Sequence, residues 1–136
     1  MPTSPIGEQG EALVAHYLQT QHHKILATRW TCRLGEIDLV SLTPDGTIAL
    51  VEVKTRAAAN WDIDGLLALT PTKQRKLWKT AECFIAAHPH WADRPYRFDV
   101  ALVRHSFHPI PTALLAQRHH EQYYSLHTYI PNAFGG

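Results

Sequence analysis

The sequence has 136 residues, of which 45% are hydrophobic and 18% are charged, and its formal net charge is +1. This ordinary globular balance predicts one folded domain over residues 1–136 and excludes a disordered chain. The near-neutral charge excludes a strongly basic nucleic-acid-binding protein, although local basic patches can still form.

The cysteines and the apolar segments indicate the cellular compartment. Cys32 and Cys83 are far apart and fit neither a metal-binding spacing nor a disulfide framework, which favours a reducing compartment. Residues 1–5 lack the basic segment and apolar run of a signal peptide. No apolar stretch approaches membrane-spanning length. We therefore expect a cytoplasmic protein that has no membrane partner.

Apolar periodicity and turn residues predict two helices and five extended segments. In chain order these are a helix from Ser4-Pro5 to about Gln19, an extended segment from Lys24 to Thr31, hairpin strands from Glu36 to Leu42 and from Ile48 to Thr55, a helix from Thr70-Pro71 to about His88, and strands from Tyr96 to Val103 and from Tyr123 to Ile130. We predict no regular secondary structure for residues 57–70 and 105–120. This order predicts an α/β domain around a mixed sheet.

Both predicted helices begin with a capping residue followed by proline, at Ser4-Pro5 and Thr70-Pro71, which is a typical helix start. In the first helix, Glu11 lies on the same stripe as Ala15 and Leu18. We therefore expect Glu11 to lean toward the core rather than plainly into water.

The predicted hairpin carries charged residues where core residues are expected. If its loop consists of residues 44–46, Asp38 lies directly opposite Glu52, with Cβ atoms about 5 Å apart. Lys54 is two residues beyond Glu52 and therefore shares its face of the sheet. A loop of two or four residues would shift the register by one and break this arrangement.

The rest of the hairpin is apolar on both faces. The apolar pairs in this register are Val40–Leu50 and Leu42–Ile48 on the face of Asp38, and Ile37–Val53 and Leu39–Val51 on the other face. Apolar pairing on both faces favours the three-residue loop.

Two opposed carboxylates in a buried hairpin need a compensating cation. Lys54 could neutralise one of them, whereas a divalent cation could bind both Asp38 and Glu52. Carboxylates together with a backbone carbonyl suit Mg²⁺ or Mn²⁺ rather than Zn²⁺. The alternative is a structural ion cluster at the end of a strand, and the hairpin alone leaves both interpretations open.

The order Asp38, then Glu52-x-Lys54, resembles the PD-(D/E)xK constellation of restriction-endonuclease-like nucleases. Further motifs, in chain order, are Gly7-x-x-Gly10-Glu11, Ala15-x-Tyr17-Leu18, Gly35-Glu36-Ile37-Asp38-Leu39, Val51-Glu52-Val53-Lys54-Thr55-Arg56, Lys73 with Leu77 and Ala81, Arg97-Phe98-Asp99-Val100, and Asn132-Ala133-Phe134. With these motifs, most of residues 7–134 resembles the YraN-like family, small bacterial proteins predicted to be nuclease-like and similar to Holliday-junction resolvases.

This resemblance implies a restriction-endonuclease-like core, in which helices flank a mixed sheet, and metal-dependent hydrolysis of DNA, with branched DNA as one substrate class. Resolvase-like nucleases often act as dimers, so the resemblance also suggests a homodimer. The sequence alone does not determine the oligomeric state. The alternative is a module that keeps the nuclease fold and binds nucleic acid or a protein partner without cleaving anything.

The resemblance also implies roles for individual residues. Asp38 and Glu52 would ligate Mg²⁺ or Mn²⁺, with the carbonyl of Val53 as a third ligand. Lys54 would orient the attacking water or stabilise the developing charge. Glu11 would be a second-metal ligand or an anchor for Lys54. The other interpretation of Glu11 is a surface glutamate that the dipole of the helix favours near its N-terminus.

Basic residues close to the hairpin in the sequence are candidates for contacts with DNA phosphates. They are Arg56, Lys73, Arg75 and Lys76. The alternative is an ordinary solvated helix face.

Two other groups of polar residues have simpler interpretations. Asp99 lies within a predicted strand, and we expect it to pair with Arg97 or Arg94 rather than to act in catalysis. The histidines have no partner cysteines at finger spacing, which argues against structural zinc. The sequence assigns no role to the histidine-rich segment 105–120.

Overall fold

The computed structural model describes residues 5–57 and 69–135. Its elements are the helices α1 (Pro5–Thr20) and α2 (Pro71–Ala87) and the strands β1 (Lys24–Cys32), β2 (Gly35–Leu42), β3 (Ile48–Ala57), β4 (Tyr96–Ser106), β5 (Leu115–His119) and β6 (Gln122–Phe134). A single 3-10 turn, Pro89–Trp91, follows α2. The predicted cap Ser4 and most of segment 57–70 lie outside the described residues.

The strands of the described residues form one mixed sheet in the order β1-β2-β3-β4-β6-β5. Strands β3 and β4 are parallel, and the other neighbours are antiparallel. Parallel neighbours need a crossover connection, and α2 lies in the chain between them. The predicted mixed sheet is confirmed, and the architecture is consistent with a restriction-endonuclease-like core.

The two helices cover opposite faces of this sheet. In β3, Val51 packs with Leu13 and Leu18 of α1, whereas the adjacent Leu50 packs with Phe84 of α2. Successive side chains of a strand point to opposite faces, so each helix has its own apolar core. In the ranges that the structure describes, no helix combines the length and apolar character needed to cross a membrane.

The start of α2 agrees with the sequence prediction. Thr70 has an extended backbone, and its hydroxyl accepts a hydrogen bond from the N–H of Lys73. Pro71 occupies the first turn, where its missing N–H removes no helical hydrogen bond. This cap fixes the position at which α2 begins and therefore where its basic residues lie.

The edge strand β5 lies in the segment to which the sequence assigned no structure. It pairs antiparallel with β6 in a hairpin that turns at His120, whose φ is 57°. Most of its side chains are exposed. A strand at an exposed edge needs no apolar face, so periodicity could not reveal it.

The hairpin of β2 and β3 has the register that a three-residue loop predicts. The ladder pairs are Leu39–Val51, Val40–Leu50, Ser41–Ala49 and Leu42–Ile48. The turn is closed by a hydrogen bond from the N–H of Thr43 to the carbonyl of Thr47. Gly46 has φ 91°, a conformation that glycine adopts without strain.

The prediction that Ile37 and Leu39 share a face is wrong. Leu39 packs in the core under α1, whereas Ile37 packs in the core under α2. Regular alternation therefore breaks at Asp38. On β1, Arg29 lies between the residue that pairs with Leu39 and the residue that pairs with Ile37. The backbone of Arg29 is left-handed, with a φ of 48°. A left-handed residue rotates the strand locally, and the paired β2 follows this rotation.

Asp99 has the structural role that the sequence predicted. Its side chain is fully buried, and Arg97 Nε donates to it at 3.0 Å. The hydroxyl of Tyr129 and the N–H of Asn132 also donate to it. Burial, followed by the charge of Asp99, raises the pKa of Tyr129. Asp99 thus links the end of β6 to β4 through hydrogen bonds. At this point Asn132 has a φ of 52°, and the register between β4 and β6 shifts.

Candidate active site

A cavity of about 520 Å³ opens between α1, the separated ends of β2 and β3, and the first turns of α2. Its walls contain both signs of charge. The charged residues that line it are Glu11, Glu36, Asp38, Glu52, Lys54, Arg56, Lys73 and Lys76. A cavity with this lining can hold a cation and an anionic ligand side by side.

The cavity exists because the ladder between β2 and β3 ends at the pair Leu39–Val51. Beyond that pair, β2 remains bonded to β1, and β3 remains bonded to β4. The Asp38 side chain enters the gap, and its carboxylate accepts the N–H of Val53 at 2.8 Å. A side chain therefore replaces the backbone ladder at the point where the acidic residues lie.

Asp38 and Glu52 are both half-buried, and their ionisation is disfavoured. Burial raises the pKa of Asp38 to about 6, even though its hydrogen bond from Val53 favours the carboxylate. Burial raises the pKa of Glu52 to about 7, and the charge of Asp38 adds to this rise. Two carboxylates with raised pKa values in one cavity are a site that a cation would stabilise.

Lys54 shares this environment. Burial lowers the pKa of its ammonium group, while the charge of Glu52 acts in the opposite direction. The Lys54 charge in turn favours ionisation of Glu52. The Glu-x-Lys spacing on β3 therefore places the two side chains close enough for their charges to interact.

Glu11 reaches the same cavity from α1. Only 8% of its surface is exposed, so the interpretation as a surface glutamate is wrong. Burial, followed by the charge of Asp38, raises its pKa to about 7. Arg29 Nη1 lies 3.8 Å from Glu11 Oε1 and 3.6 Å from Glu8 Oε1. The Glu11 Oε1 atom is buried and has no hydrogen-bond partner in the part of the chain that the structure describes.

Gly10 explains how α1 brings Glu11 so close to the sheet. A Cβ atom at Gly10 would lie 1.9 Å from Oγ1 of Thr55 on β3. Only a residue without a side chain permits this approach. The glycine immediately before Glu11 in the sequence motif therefore sets the distance between the helix and the acidic residues.

The predicted phosphate-binding residues divide into two groups. Arg56, Lys73 and Lys76 line the cavity and are exposed at its mouth. Arg75 is exposed on the same helix, is not part of the cavity wall, and donates to the hydroxyl of Thr72. The helical turn thus separates Arg75 from its neighbours, since adjacent residues on a helix point in different directions.

Comparison with known proteins identifies the family of this chain. Residues 10–103 match the model of a family described as Uncharacterised protein family UPF0102. A UPF0102 protein of Thermosynechococcus vestitus is 46% identical over 129 residues, which covers 95% of this chain and 93% of that protein. This chain belongs to UPF0102.

Two further UPF0102 proteins are similar to this chain over alignments of different length. One from Synechococcus elongatus is 42% identical over 130 residues, covering 96% of this chain and 91% of that protein. One from Synechocystis is 52% identical over 99 residues, covering 72% of this chain and 66% of that protein. The resemblance to the YraN-like family is thereby confirmed. The segment that matches the UPF0102 model contains all the charged residues of the cavity.

The acidic residues of this UPF0102 protein fit a partly hydrated Mg²⁺ better than a closed metal cage. Within residues 5–57 and 69–135, no group of three or more His, Cys, Asp or Glu side chains is arranged to hold a metal by itself. Mg²⁺ typically takes one or two carboxylates and keeps several waters or substrate phosphates. Asp38, Glu52 and the carbonyl of Val53, which belong to residues that line the cavity, could hold such an ion.

Sequence reasoning missed two residues of this site. Arg29 compensates Glu11 from β1, and Thr80 closes the wall of the cavity from α2. A Cβ atom at Gly35 would lie 2.8 Å from Oγ1 of Thr80. Neither Arg29 nor Thr80 belongs to a motif or to an apolar period, and only the packing of the helices against the sheet brings them to the site.

Proposed function

We propose that this UPF0102 protein is a metal-dependent nuclease that hydrolyses DNA phosphodiesters, with branched DNA as its first candidate substrate. The observation that carries the proposal is the convergence of Asp38, Glu52 and Lys54 on one cavity. They meet in the order of the PD-(D/E)xK constellation. The raised pKa values of the carboxylates support a cation as the missing partner.

In this proposal, Asp38, Glu52 and the carbonyl of Val53 hold Mg²⁺ or Mn²⁺. When bound, the metal polarises a phosphoryl oxygen and lowers the pKa of a bound water. Lys54 orients the attacking water or donates to the oxygen on which negative charge develops. An ammonium group acts strongly there because the site is partly shielded from water.

Glu11 completes the acidic wall of the cavity. Its buried Oε1 atom, which has no hydrogen-bond partner among the described residues, could accept a hydrogen bond from a water in the cavity. The ion pair with Arg29 restrains the side chain without neutralising it fully, because the two groups are 3.8 Å apart. We therefore assign Glu11 a positioning role, or the role of a ligand to a second metal.

The direct test is cleavage of a four-way DNA junction and of a linear duplex of the same sequence, each with Mg²⁺, Mn²⁺ or EDTA. We expect metal-dependent cleavage by the wild type and a rate about 10²- to 10³-fold lower for Lys54→Gln. Lys24→Gln is the control, because Lys24 is exposed at the opposite end of the sheet. Intact DNA in every wild-type reaction would favour the alternative, a binding module that keeps the nuclease fold.

The basic residues at the mouth of the cavity predict how DNA binding depends on salt. Replacing both Lys73 and Lys76 with glutamine removes two phosphate contacts. The logarithmic slope of affinity against salt should therefore fall by about 2. Fluorescence anisotropy with a labelled junction in EDTA measures this slope without cleavage.

Arg75→Gln provides a matched control for this experiment on the same helix. Arg75 carries the same charge but lies outside the cavity wall, so its replacement should leave the slope nearly unchanged. An equal effect of Arg75→Gln would show that the whole helix surface attracts DNA and that the cavity mouth has no special part in binding.

A further inference from the structure

The two cysteines, which are distant in the sequence, meet in the folded protein. Cys32 ends β1, and Cys83 lies in the second half of α2. Each thiol shifts the pKa of the other, downward for Cys32 and upward for Cys83, so the two side chains lie close enough to interact. Both side chains are half-buried, and both are free thiols. An oxidant can therefore reach two thiols that lie close to each other.

The backbones around the two cysteines are held together by close packing. Cys32 is the strand partner of Gly35, and a Cβ atom at Gly35 would lie 2.8 Å from Oγ1 of Thr80. Cys83 follows Thr80 by three residues and therefore lies on the same face of α2. The contact between the strand turn and the helix thus determines the approach of the two thiols.

The surroundings of Cys32 favour its thiolate. Desolvation acts to raise its pKa, but hydrogen bonds from the Leu34 N–H, the Cys83 thiol and the Gly35 N–H, together with the charge of Arg33, lower it. The Leu34 nitrogen lies 3.4 Å from the Cys32 sulfur. The hydrogen bond with Cys32 raises the pKa of Cys83. The Cys32 sulfur is therefore favoured as the nucleophile, whereas the Cys83 thiol keeps its proton.

We propose that Cys32 and Cys83 form a reversible intramolecular disulfide when the protein meets hydrogen peroxide. The Cys32 thiolate attacks the peroxide, the O–O bond breaks, and Cys32 becomes a sulfenic acid while the other oxygen leaves as water after taking a proton. Cys83 then attacks the sulfenic sulfur, and its own proton leaves with the departing oxygen as a second water. Two thiols and one hydrogen peroxide thus give one disulfide and two waters.

The order of attack follows from the charges of the two sulfurs. The Cys32 thiolate holds Cys83 protonated. Conversion of Cys32 to the neutral sulfenic acid removes that charge, so Cys83 can lose its proton and react. The disulfide would join β1 to α2 beside Gly35 and Thr80, which form one wall of the acidic cavity.

The test is treatment of the full chain with hydrogen peroxide, followed by intact-mass and peptide analysis. We expect the monomer to lose two hydrogens, with a single linkage between the peptides of Cys32 and Cys83 that dithiothreitol reverses. The oxidised protein should also melt on the order of 10 °C higher than the reduced protein, because the bond closes a long loop.

Single-cysteine variants test the assigned order. Cys83→Ser should accumulate a sulfenic acid on Cys32 that dimedone traps, and Cys32→Ser should react more slowly and give little adduct. Neither variant should show the rise in melting temperature. Wild-type protein that keeps both thiols, or that forms only intermolecular disulfides, would overturn the proposal. Adducts only on Cys83 would overturn the assignment of Cys32 as the attacking thiol.

Discussion

Replacing Glu52 with glutamine is expected to abolish Mg²⁺ binding and to stabilise the metal-free protein at pH 8. A lost ligand should lower the metal affinity by at least about 100-fold. The gain in stability follows from the pKa of Glu52, which burial and the charge of Asp38 raise from 4.5 to about 7. Above that pH the folded, metal-free protein must hold an unfavourable carboxylate, and glutamine removes it at nearly constant volume.

The sign of the pH dependence follows from the same pKa values. The folded protein binds a proton at Glu52 more readily than the unfolded chain does, because its pKa is higher. The free energy of unfolding of the wild type should therefore rise as the pH falls from about 7 toward 4.5, and the cost of the carboxylate is fully present above pH 7. We expect Glu52→Gln to gain on the order of 2 kcal/mol at pH 8 and much less at pH 5.

Titration calorimetry with Mg²⁺ and thermal unfolding in EDTA measure the two effects separately. Asp38→Asn should behave in the same direction, since the pKa of Asp38 is also raised, to about 6. Glu82→Gln is the control, because Glu82 is an exposed glutamate on α2. If the wild type binds no metal and Glu52→Gln loses stability, the acidic residues form a structural ion cluster with Lys54.

Replacing Asp99 with alanine should cost about 3 kcal/mol of the free energy of unfolding without changing the proposed metal site. Asp99 is fully buried, and its removal leaves Arg97, the Tyr129 hydroxyl and the Asn132 N–H without their acceptor. A buried donor that loses its partner keeps the full cost of desolvation. The end of β6 would also lose the hydrogen bonds to Asp99 that join it to β4.

Urea denaturation gives the change in stability, and calorimetry with Mg²⁺ below the transition tests the proposed metal site. Asp93→Ala provides the matched control, because Asp93 is exposed shortly before the same strand and should change the stability by less than about 0.5 kcal/mol. A small loss of stability together with lost Mg²⁺ binding in Asp99→Ala would contradict the structural role and link Asp99 to the site.

Local sequence determined the arrangement of the acidic residues on the hairpin. The loop 44–46 has an odd length, and apolar residues on both strands allow one register, so Asp38 and Glu52 come to the same end of the hairpin. Turn length and strand alternation act over a few residues, which is why they can be read without a fold. The cap at Thr70 is equally local, and it defines where α2 begins.

Only the tertiary structure determines which residues of other elements lie beside this hairpin. Arg29 of β1 reaches Glu11 of α1, and beside its left-handed backbone Ile37 lies in the core under α2. Cys32 and Cys83 come close because Gly35, the strand partner of Cys32, packs against Thr80 of α2. These contacts join residues that are distant in the sequence, and they depend on the close approach of backbones at positions such as Gly10. Periodicity records which side of an element is apolar, whereas packing decides which polar groups meet.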